Sequence, residues 1–382
     1  MNHDLPLPAR PKIIDLFAGV GGLSLGAARA GFDVAACVEL DAIAIASHAQ
    51  NFPNSKHISL DVASLTGAKL EELSGVPAGE LAGLIGGPPC QGFSLIGRRN
   101  SGDTRNDLFT HFFRLVAELK PAFYLAENVP GILSKATSHL IDSAIKQLPN
   151  NYIKLAPIIV EADKFGAPTT RKRVFFIGYD PKLVKDLKVE DFLPKEAHSF
   201  VVKDALQGLP TIYSSWQKED QSWRRVKYFE SNFFSDRLTG HIPPGVGDGK
   251  AIEQLKSQVV SGFFGTQHSD ETVSRFKLLA PGELDAVYRS RRLRMEGLCP
   301  TLRAGTAADK GSYQAVRPIH PTAARVIAPR EAARLQGFPD WFVFNPTKWH
   351  SFRQIGNSVS PLVAEGLLSV IRESIKELDG NL

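Results

Sequence analysis

The stretch IIDLFAGVGGLSLG, Ile13–Gly26, decides the fold. An apolar run ends at Phe17, a glycine-rich turn follows, and helical spacing begins after the turn. A turn between a strand and a helix lets backbone approach a ligand closely and directs helix N–H groups at it. Gly19 and Gly21 fit the dinucleotide fingerprint G-x-G-x-x-G, but Ser24 occupies its last position. The turn by itself therefore leaves the ligand open.

Short β-rich runs alternate with helical stretches from residue 12 to about residue 178. This alternation is typical of parallel β-α units, and it predicts an α/β fold with helices on both faces of an open sheet. Ligands then bind at the carboxyl ends of the strands. The predicted strands are Lys12–Phe17, Val34–Val38, Gly83–Ile85, Ala122–Ala126 and Val174–Ile177. The predicted helices are Leu23–Ala30, Ala42–Asn51, Leu108–Leu119 and Ser138–Leu148.

From about residue 180 to residue 320 the alternation breaks down, and Pro, Gly, Ser and aromatic residues are scattered without a clear period. This region predicts a second, irregular domain, which agrees with a length of 382 residues. Residues 181–320 contain 21 Lys plus Arg against 17 Asp plus Glu, so most of the chain's net charge of +5 lies there. Helical signals return at Pro329–Gln336 and Pro361–Glu377.

Composition excludes several classes of protein. No apolar run approaches the ~18 residues that span a membrane, and the first ten residues lack the apolar core of a secretory signal. The cysteines Cys37, Cys90 and Cys299 lie far apart, which predicts neither a disulfide framework nor a paired-thiol zinc site. We therefore expect a cytoplasmic protein without a membrane partner.

Two acids follow the glycine turn at distances that suit an adenosine-bearing cofactor. Glu39 ends the second predicted strand, twenty residues after Gly19, where a carboxylate can accept both ribose hydroxyls. Asp61 follows the run HISL, and at the end of a third strand it could meet the adenine amino group. Each acid alone is more often a capping or solvated carboxylate, so the inference depends on their combination with the turn.

A cysteine occurs in an unusual setting within IGGPPCQGFS, Ile85–Ser94. Cys90 follows two prolines at the carboxyl end of a predicted strand, which exposes its thiol in the ligand crevice. A free cysteine is usually a small buried side chain, but the polar, glycine-rich surroundings argue against that here. The segment Gln91–Asn106, with Arg98 and Arg99, predicts a mobile basic loop; a solvated turn is the alternative.

Charged side chains also follow or begin the later strands. Glu127 in AENVPG comes directly after the apolar run AFYL, so its carboxylate should face the crevice and act as a proton donor. Arg171 and Arg173 in TTRKRVFFIG lie at i and i+2 on a strand, a spacing that can grip a polar base or a phosphate. The alternatives are a capping carboxylate and two exposed arginines on an edge strand.

Together these segments resemble the ordered motif series of the DNA cytosine-5 methyltransferases. DLFAGVGG is similar to the cofactor loop of that family, GGPPCQGFS to its nucleophile motif and ENVPG to its glutamate motif. The R-K-R run is similar to the paired-arginine motif, and REAARLQGFPD and QIGNSVSPLVAEGL to the two closing motifs. The motifs keep the family's order from Asp15 to Leu367.

The resemblance implies a Rossmann-like, mostly parallel sheet domain that binds S-adenosylmethionine and methylates carbon 5 of cytosine, leaving S-adenosylhomocysteine. It implies that the Cys90 thiolate adds at carbon 6 of the base and that Glu127 holds or donates the proton at ring nitrogen 3. Arg173 would bind the carbonyl oxygen of the base, and Arg171 would support that geometry. No metal is expected.

The resemblance also implies a cofactor site that draws on both ends of the chain. Its last motif places the C-terminal helix against the first domain. The catalytic domain would then be discontinuous, 1–180 plus 325–382, with a smaller irregular target-recognition domain at 181–324. The matching cofactor positions are Phe17, Ala18, Gly19, Gly21, Gly22, Leu23, Glu39, Leu40, Asp61, Val62, Pro89, Leu108, Asn357, Ser358 and Val359.

The implied substrate is double-stranded DNA. Its target base would have to rotate out of the stack to reach Cys90, with Gln91 and Ser94 near the DNA and the loop carrying Arg98 and Arg99 closing over the base. In the recognition domain, a group of arginines would contact phosphates while other side chains read bases. A solvated helix face is the alternative for this group, which comprises Arg289, Arg291, Arg292, Arg294 and Arg303.

Three other functions compete with DNA methylation. One branch of the resembled family methylates transfer RNA, and a catalytically silent DNA-binding module could keep the fold. A nicotinamide oxidoreductase is discounted by the failed glycine spacing and by Cys90 with Glu127. The compact chain favours a monomeric modification enzyme of a bacterial restriction-modification system, whose cognate endonuclease would act separately.

Overall fold

The computed structural model describes residues 10–89, 107–194, 199–211, 222–229, 231–240, 242–304 and 317–376. Within these ranges eight strands build one sheet. They are β1 (Lys12–Leu16), β2 (Asp33–Val38), β3 (Lys56–Ile58), β4 (Leu81–Gly86), β5 (Phe123–Asn128), β6 (Ile153–Lys154), β7 (Ile158–Glu161) and β8 (Lys172–Tyr179). Two short strands, β9 (Arg224–Arg225) and β10 (Val259–Val260), pair separately.

The sheet has the strand order β3-β2-β1-β4-β5-β8-β6, and β7 also pairs with β8. The first five strands in this order are parallel, which confirms the predicted α/β fold. The strand predicted at residues 174–177 is β8, but it runs antiparallel to β5, so its inclusion among the parallel β-α units was wrong. Residues 162–171, with a single 3-10 helix at Ala162–Lys164, join β7 to β8. A parallel pair needs a longer crossover of roughly a dozen or more residues.

The helices alternate with the strands in the first half and dominate the chain afterwards. Predicted and observed ends of the shared elements differ by at most three residues, whereas β6, β7, α3, α11 and all the elements between residues 200 and 280 were missed. The helices are α1 (Gly22–Arg29), α2 (Ala42–Asn51), α3 (Gly67–Ser74), α4 (Asp107–Leu119), α5 (Ser138–Ile145), α6 (Val202–Leu206), α7 (Phe233–Thr239), α8 (Gly249–Lys256), α9 (Asp270–Leu278), α10 (Pro329–Leu335), α11 (Lys348–Asn357) and α12 (Pro361–Ser374). None of the helices in the described ranges has the length and apolarity needed to cross a bilayer.

The two faces of the sheet carry two apolar cores. In β1, Ile14 and Leu16 pack on the face covered by α3, α4 and α5, whereas Ile13 packs on the face covered by α1 and α12. This alternation follows from the two-residue period of a strand. The second core also contains Phe234 and Leu293 from the region after residue 181, so the apolar interior is continuous between the two regions. The division into two domains stays a prediction.

Helices α1 and α12 pack directly against each other at a glycine, Gly26. A Cβ at Gly26 would overlap Ala364 and come within 2.6 Å of the backbone nitrogen of Glu365. The two helices thereby bring the end of the chain onto the first β-α unit. Glu365 also pairs with Arg237 of α7 at 2.9 Å, which ties the intervening region to the same point.

We expect Gly26→Ala to lower the melting temperature of the protein. The added methyl group meets backbone that cannot move aside, and overpacking of this kind costs about 1–3 kcal/mol. Thermal melts followed by circular dichroism measure the effect. Gly79→Ala is the matched control, because a Cβ there meets nothing within 4 Å. Equal melting temperatures for the two variants would contradict this description of the helix contact.

Candidate active site

A cavity of about 500 Å³ opens at the carboxyl ends of β1, β2, β4 and β5. The strand order reverses there, because β2 lies on one side of β1 and β4 on the other. Open α/β sheets bind ligands at such a reversal. The walls come from the turn after β1, from residues between 39 and 44, from residues 87–89, 127–129 and 302–304, and from the stretch 350–359.

The turn between β1 and α1 is shaped by left-handed backbone. Phe17 and Gly19 both have φ of 57°, and Gly21 has φ of 100°. β1 therefore ends at Leu16, one residue earlier than predicted. A bulky side chain in the left-handed conformation costs of order 1–3 kcal/mol and is typical of functional sites. Gly21 has no side chain with which to cap α1, so the backbone N–H groups of the first helical turn are left for a ligand.

Glu39 joins the glycine turn to the start of α2. Its Oε2 accepts a hydrogen bond from the backbone nitrogen of Gly19 at 2.8 Å, and its Oε1 accepts one from the backbone nitrogen of Asp41 at 2.8 Å. A carboxylate offers ~four acceptor positions, so both oxygens keep capacity for the hydroxyl groups of a ligand. The glycine turn, the first turn of α1 and this carboxylate fit the amino acid part and the ribose of S-adenosylmethionine.

The far end of the cavity carries an ion pair. Arg173 of β8 donates from Nε to Oε1 of Glu127 at 2.6 Å, and the exposed fractions of the two side chains are 16% and 12%. Both residues line the cavity, on neighbouring antiparallel strands. Asn128 donates to the carbonyl oxygen of Pro88 at 3.1 Å, so the end of β5 also holds the segment that leads to Cys90.

Arg171 lies behind Arg173 and does not line the cavity. Its side chain is buried, and Nη1 donates to the carbonyl oxygen of Leu302 at 3.2 Å. Burial, with Arg173 as a second cause, lowers the pKa of Arg171 well below its usual range, while Glu127 opposes that shift. Both arginines border one small space beside Val160 and Val359. β8 begins at Lys172, so Arg171 lies just before the strand on which the sequence placed it.

The remaining wall comes from the end of the chain. A Cβ at Gly22 would overlap the carbonyl oxygen of Val359, so the turn before α12 covers the glycine turn directly. Arg353 of α11 pairs with Asp41 at 2.7 Å, and Gln354 donates to the hydroxyl of Ser47 at 2.8 Å. Sequence reasoning missed Arg353 and His350 in this wall, because only the last turn of α11 falls within a quoted motif.

Most of the predicted cofactor residues come together around the cavity. Those in its walls are Phe17, Ala18, Gly19, Gly22, Leu23, Glu39, Pro89, Asn357, Ser358 and Val359. Gly21 lies behind the turn, where a Cβ would come within 3.0 Å of His48.

Four other predicted cofactor residues are outside the cavity walls. Leu40 is 64% exposed and Leu108 is partly buried. Asp61 accepts a hydrogen bond from the backbone nitrogen of Ala63 at 3.0 Å, and Val62 is buried in the core beneath α4. Their roles in cofactor binding stay predictions. The predictions for Cys90, Gln91, Ser94, Arg98 and Arg99 concern residues outside the described part of the chain.

The arginines predicted to contact DNA do not act as one group. Arg292 donates to the backbone carbonyl oxygens of Phe276, Leu279 and Pro321 at 2.8–3.1 Å, which uses three of its ~five N–H groups. These bonds hold a loop together, and a phosphate contact of Arg292 stays a prediction. Arg303 lines the cavity instead of lying with the others.

Comparison with known proteins places the chain in a family. The family profile of the C-5 cytosine-specific DNA methylases matches residues 11–373. The type II methyltransferase M.XorII of Xanthomonas oryzae pv. oryzae is 38% identical over 96% of this chain and 86% of its own length. M.DdeI of Desulfomicrobium norvegicum is 33% identical, with coverages of 93% and 87%.

Solved structures of other methyltransferases have the same fold as this chain. A crystal structure from E. coli, provisionally described as a DNA modification methyltransferase encoded within a prophage, superposes with a TM-score of 0.86. It is 49% identical and covers 95% of this chain and 99% of its own. The Dnmt2 methyltransferase of S. pombe has a TM-score of 0.60 at 16% identity over 95% of this chain and 99% of its own, which shows the shared fold alone.

The fold and the cavity therefore define a Rossmann-like methyltransferase that uses S-adenosylmethionine. The chain belongs to the C-5 cytosine-specific DNA methylase family, and it transfers a methyl group to carbon 5 of cytosine in DNA.

We expect Glu39→Gln to weaken binding of S-adenosylmethionine about ten- to a hundredfold. The amide nitrogen cannot accept, so one of the bonds from Gly19 and Asp41 is lost, and a hydrogen bond to a charged group contributes about 1.5–3 kcal/mol. Isothermal titration calorimetry measures the dissociation constant. Glu72→Gln, at an exposed ion pair with Lys69, is the control. An unchanged dissociation constant for Glu39→Gln would refute this role.

Proposed function

We propose that the side chains at the far end of the cavity carry out the methylation of a cytosine that has rotated out of double-stranded DNA. The supporting observation is the ion pair of Glu127 with Arg173, which shares one cavity with Glu39 and the glycine turn. Pro89 lines that cavity as well, and Cys90 follows it directly in the chain. The ends of β5 and β8 bring Glu127 and Arg173 together, and Pro89 is the described residue that leads to Cys90 in the chain.

Cys90 is the proposed nucleophile. Carbon 5 of cytosine reacts poorly until a nucleophile adds at carbon 6, which leaves an electron-rich double bond ending at carbon 5. A thiol with a pKa of ~8.5 is only a few per cent ionised at neutral pH, so proton transfer or nearby positive charge must help the attack. Arg173 supplies positive charge within the same cavity.

Glu127 and Arg173 would hold the base during the addition. As the sulfur–carbon 6 bond forms, negative charge grows on ring nitrogen 3 and on the carbonyl oxygen. Glu127 would donate a proton to that nitrogen and hold it there, and the Arg173 guanidinium would donate a hydrogen bond to that oxygen. The 2.6 Å contact between the two side chains fixes their relative positions. Arg171 is a positioning residue, since it lies behind Arg173.

S-adenosylmethionine supplies an electrophilic methyl group. Once carbon 5 holds the methyl group, its proton leaves to water and the electron pair of that bond re-forms the ring double bond as Cys90 departs. Glu39 and the first turn of α1 would orient the donor, and the turn Asn357–Val359 would close over it. This sequence of steps routes nothing through a metal.

DNA contacts outside the cavity would come from the loop after Cys90 and from the region after residue 181. Arg289, Arg291 and Arg294 are exposed there, and Arg289 has a left-handed φ of 56°. Tyr288 and Val287 beside it are about three-fifths exposed. An exposed group of aromatic, aliphatic and arginine side chains suits contact with phosphates and base edges.

Double-stranded DNA is favoured over transfer RNA as the substrate. The matched family profile is that of DNA methylases, and the two relatives of 38% and 33% identity are named type II methyltransferases. By extension, the chain would act as a monomeric modification enzyme in a restriction-modification system, with a cognate endonuclease that acts separately. Glu127 and Arg173, both in place, argue against a catalytically silent module.

We expect Cys90→Ala to reduce methyl transfer by at least about 10³-fold while DNA affinity stays within a few-fold of the original value. The variant loses the nucleophile but keeps the cavity. Bisulfite sequencing of plasmid DNA from cells that express the wild-type chain identifies the target sequence. Transfer of a radiolabelled methyl group and fluorescence anisotropy on that duplex then give the rate and the affinity. Turnover near the wild-type rate would exclude Cys90 as the nucleophile.

Two neighbouring arginines should respond differently to substitution. Arg289→Ala should reduce the slope of log affinity against log salt by about one without a change in melting temperature, because one phosphate contact is lost. Arg292→Ala should instead lower the melting temperature, because three carbonyl groups lose their donor. The assignment fails if Arg289→Ala leaves the salt slope unchanged.

A further inference from the structure

A row of polar side chains crosses three adjacent strands behind the glycine turn. Asp15 of β1 is in register with Cys37 of β2, and Cys37 is in register with His57 of β3. Register partners on neighbouring strands point to the same face of a sheet. Apart from this row, the same face of β1 and β2 carries apolar side chains such as Ile13 and Val34. None of the polar residues lines the cavity of the active site.

The helices that cover this face add two more polar side chains. His48 of α2 approaches His57 with an Nδ1–Nε2 distance of 3.0 Å. One ligand atom from each of Cys37, His48 and His57 can be chosen so that all three lie within 4.8 Å of one another. On its other side, Nε2 of His48 is 3.0 Å from the hydroxyl of Ser24, and that hydroxyl donates to Asp15 at 2.5 Å.

This cluster is almost completely shielded from water. Asp15, Cys37 and His48 have no exposed surface, and His57 is half-buried. Polar groups in such a place need partners, yet Oδ1 of Asp15 has no hydrogen-bond partner. Burial raises the pKa of Asp15 to about 7. Burial also raises the pKa of the Cys37 thiol, and the nearby Asp15 and Glu39 raise it further. Burial lowers the pKa of His48, with His57 as a second cause, so its imidazole is neutral.

We propose that Cys37, His48 and His57 form a binding site for a zinc ion. Thiolate and neutral imidazole are the side chains that Zn²⁺ prefers, and three such ligands plus one water complete a tetrahedral site. Zinc–nitrogen bonds of 2.0–2.1 Å place two tetrahedral nitrogens roughly 3.3 Å apart. The observed 3.0 Å between the two rings is close to that value. Half-buried His57 leaves a path for the water.

The surroundings of His48 match those of a metal ligand. A ligating histidine usually directs its second ring nitrogen to an oxygen acceptor, which fixes the ring and its tautomer. Here the second ring nitrogen of His48, Nε2, lies within hydrogen-bond distance of the Ser24 hydroxyl, and that hydroxyl donates to Asp15. The nearby carboxylates of Asp15 and Glu39 would also stabilise a divalent cation, since both act on Cys37 electrostatically.

The site has a structural consequence for cofactor binding. His48 lies directly beneath the glycine turn, because a Cβ at Gly21 would come within 3.0 Å of its Cδ2 atom. Phe52, one helical turn further along α2, stacks on the same ring with centroids 4.3 Å apart. An ion that fixes His48 would therefore support the left-handed turn that holds the methyl donor. The cluster has no local sequence pattern, because its ligands come from β2, α2 and β3.

The experiment measures metal in the full chain after removal of any histidine tag. Protein purified from zinc-supplemented medium should contain one zinc ion per chain by inductively coupled plasma mass spectrometry. Cys37→Ser and His57→Gln should each lose at least about tenfold in zinc affinity, measured by competition with a chromogenic chelator. His139→Gln, an exposed histidine on α5, should retain the ion. Circular dichroism verifies that each variant is folded.

A second measurement uses only the wild-type chain, in case the variants do not fold. Cobalt(II) added to metal-free protein should give the visible bands of a tetrahedral site and a thiolate-to-metal charge-transfer band. Folded wild-type protein that neither contains zinc nor takes it up on titration would overturn the proposal. So would a cobalt spectrum without the thiolate band. In those cases the two rings share an N–H···N hydrogen bond, and the chain His57–His48–Ser24–Asp15 is a purely hydrogen-bonded network.

Discussion

The close contact between α1 and α12 is the constraint on which the active site depends. Gly26 of α1 leaves room for the backbone of α12 to lie directly against it. That contact carries the preceding turn, Asn357–Val359, onto the same loop, where Gly22 again leaves room for backbone. One wall of the cavity is therefore built from the start of the chain and another from its end. The region between them is held to the same point through Arg237 and Glu365.

The order of the strands in the sheet determines the position of the rest of the site. Parallel strands β1, β2, β4 and β5 end at one edge, and the order reverses between β1 and β4. The antiparallel strand β8 then brings a basic residue to that edge, because its amino end lies beside the carboxyl end of β5. This arrangement pairs Arg173 with Glu127 at the cavity, which an all-parallel sheet could not do at this place. The glycine turn with Glu39 and the pair of Glu127 with Arg173 thus line one cavity.

Sequence reasoning succeeded where the determinants are local. The glycine turn, the acid at the end of β2 and the segment before Cys90 each depend on a few consecutive residues, and their strands and helices were predicted to within three residues. Sequence reasoning failed where contacts between residues distant in the chain determine the position of a side chain. Arg292 belongs to a charged stretch, yet its side chain donates hydrogen bonds to three carbonyl oxygens that are distant in sequence. The row of Asp15, Cys37 and His57 exists only through strand register, which no local pattern encodes.

The central claim is that this cavity methylates cytosine through addition of the Cys90 thiol to the base. The most direct test uses a duplex of the target sequence with 5-fluorodeoxycytidine at the methylated position, together with S-adenosylmethionine. Fluorine cannot leave carbon 5 as a proton does, so Cys90 cannot depart after methyl transfer. Peptide mass spectrometry should then find the DNA adduct on Cys90. Absence of an adduct, or an adduct on any other residue, would contradict the account.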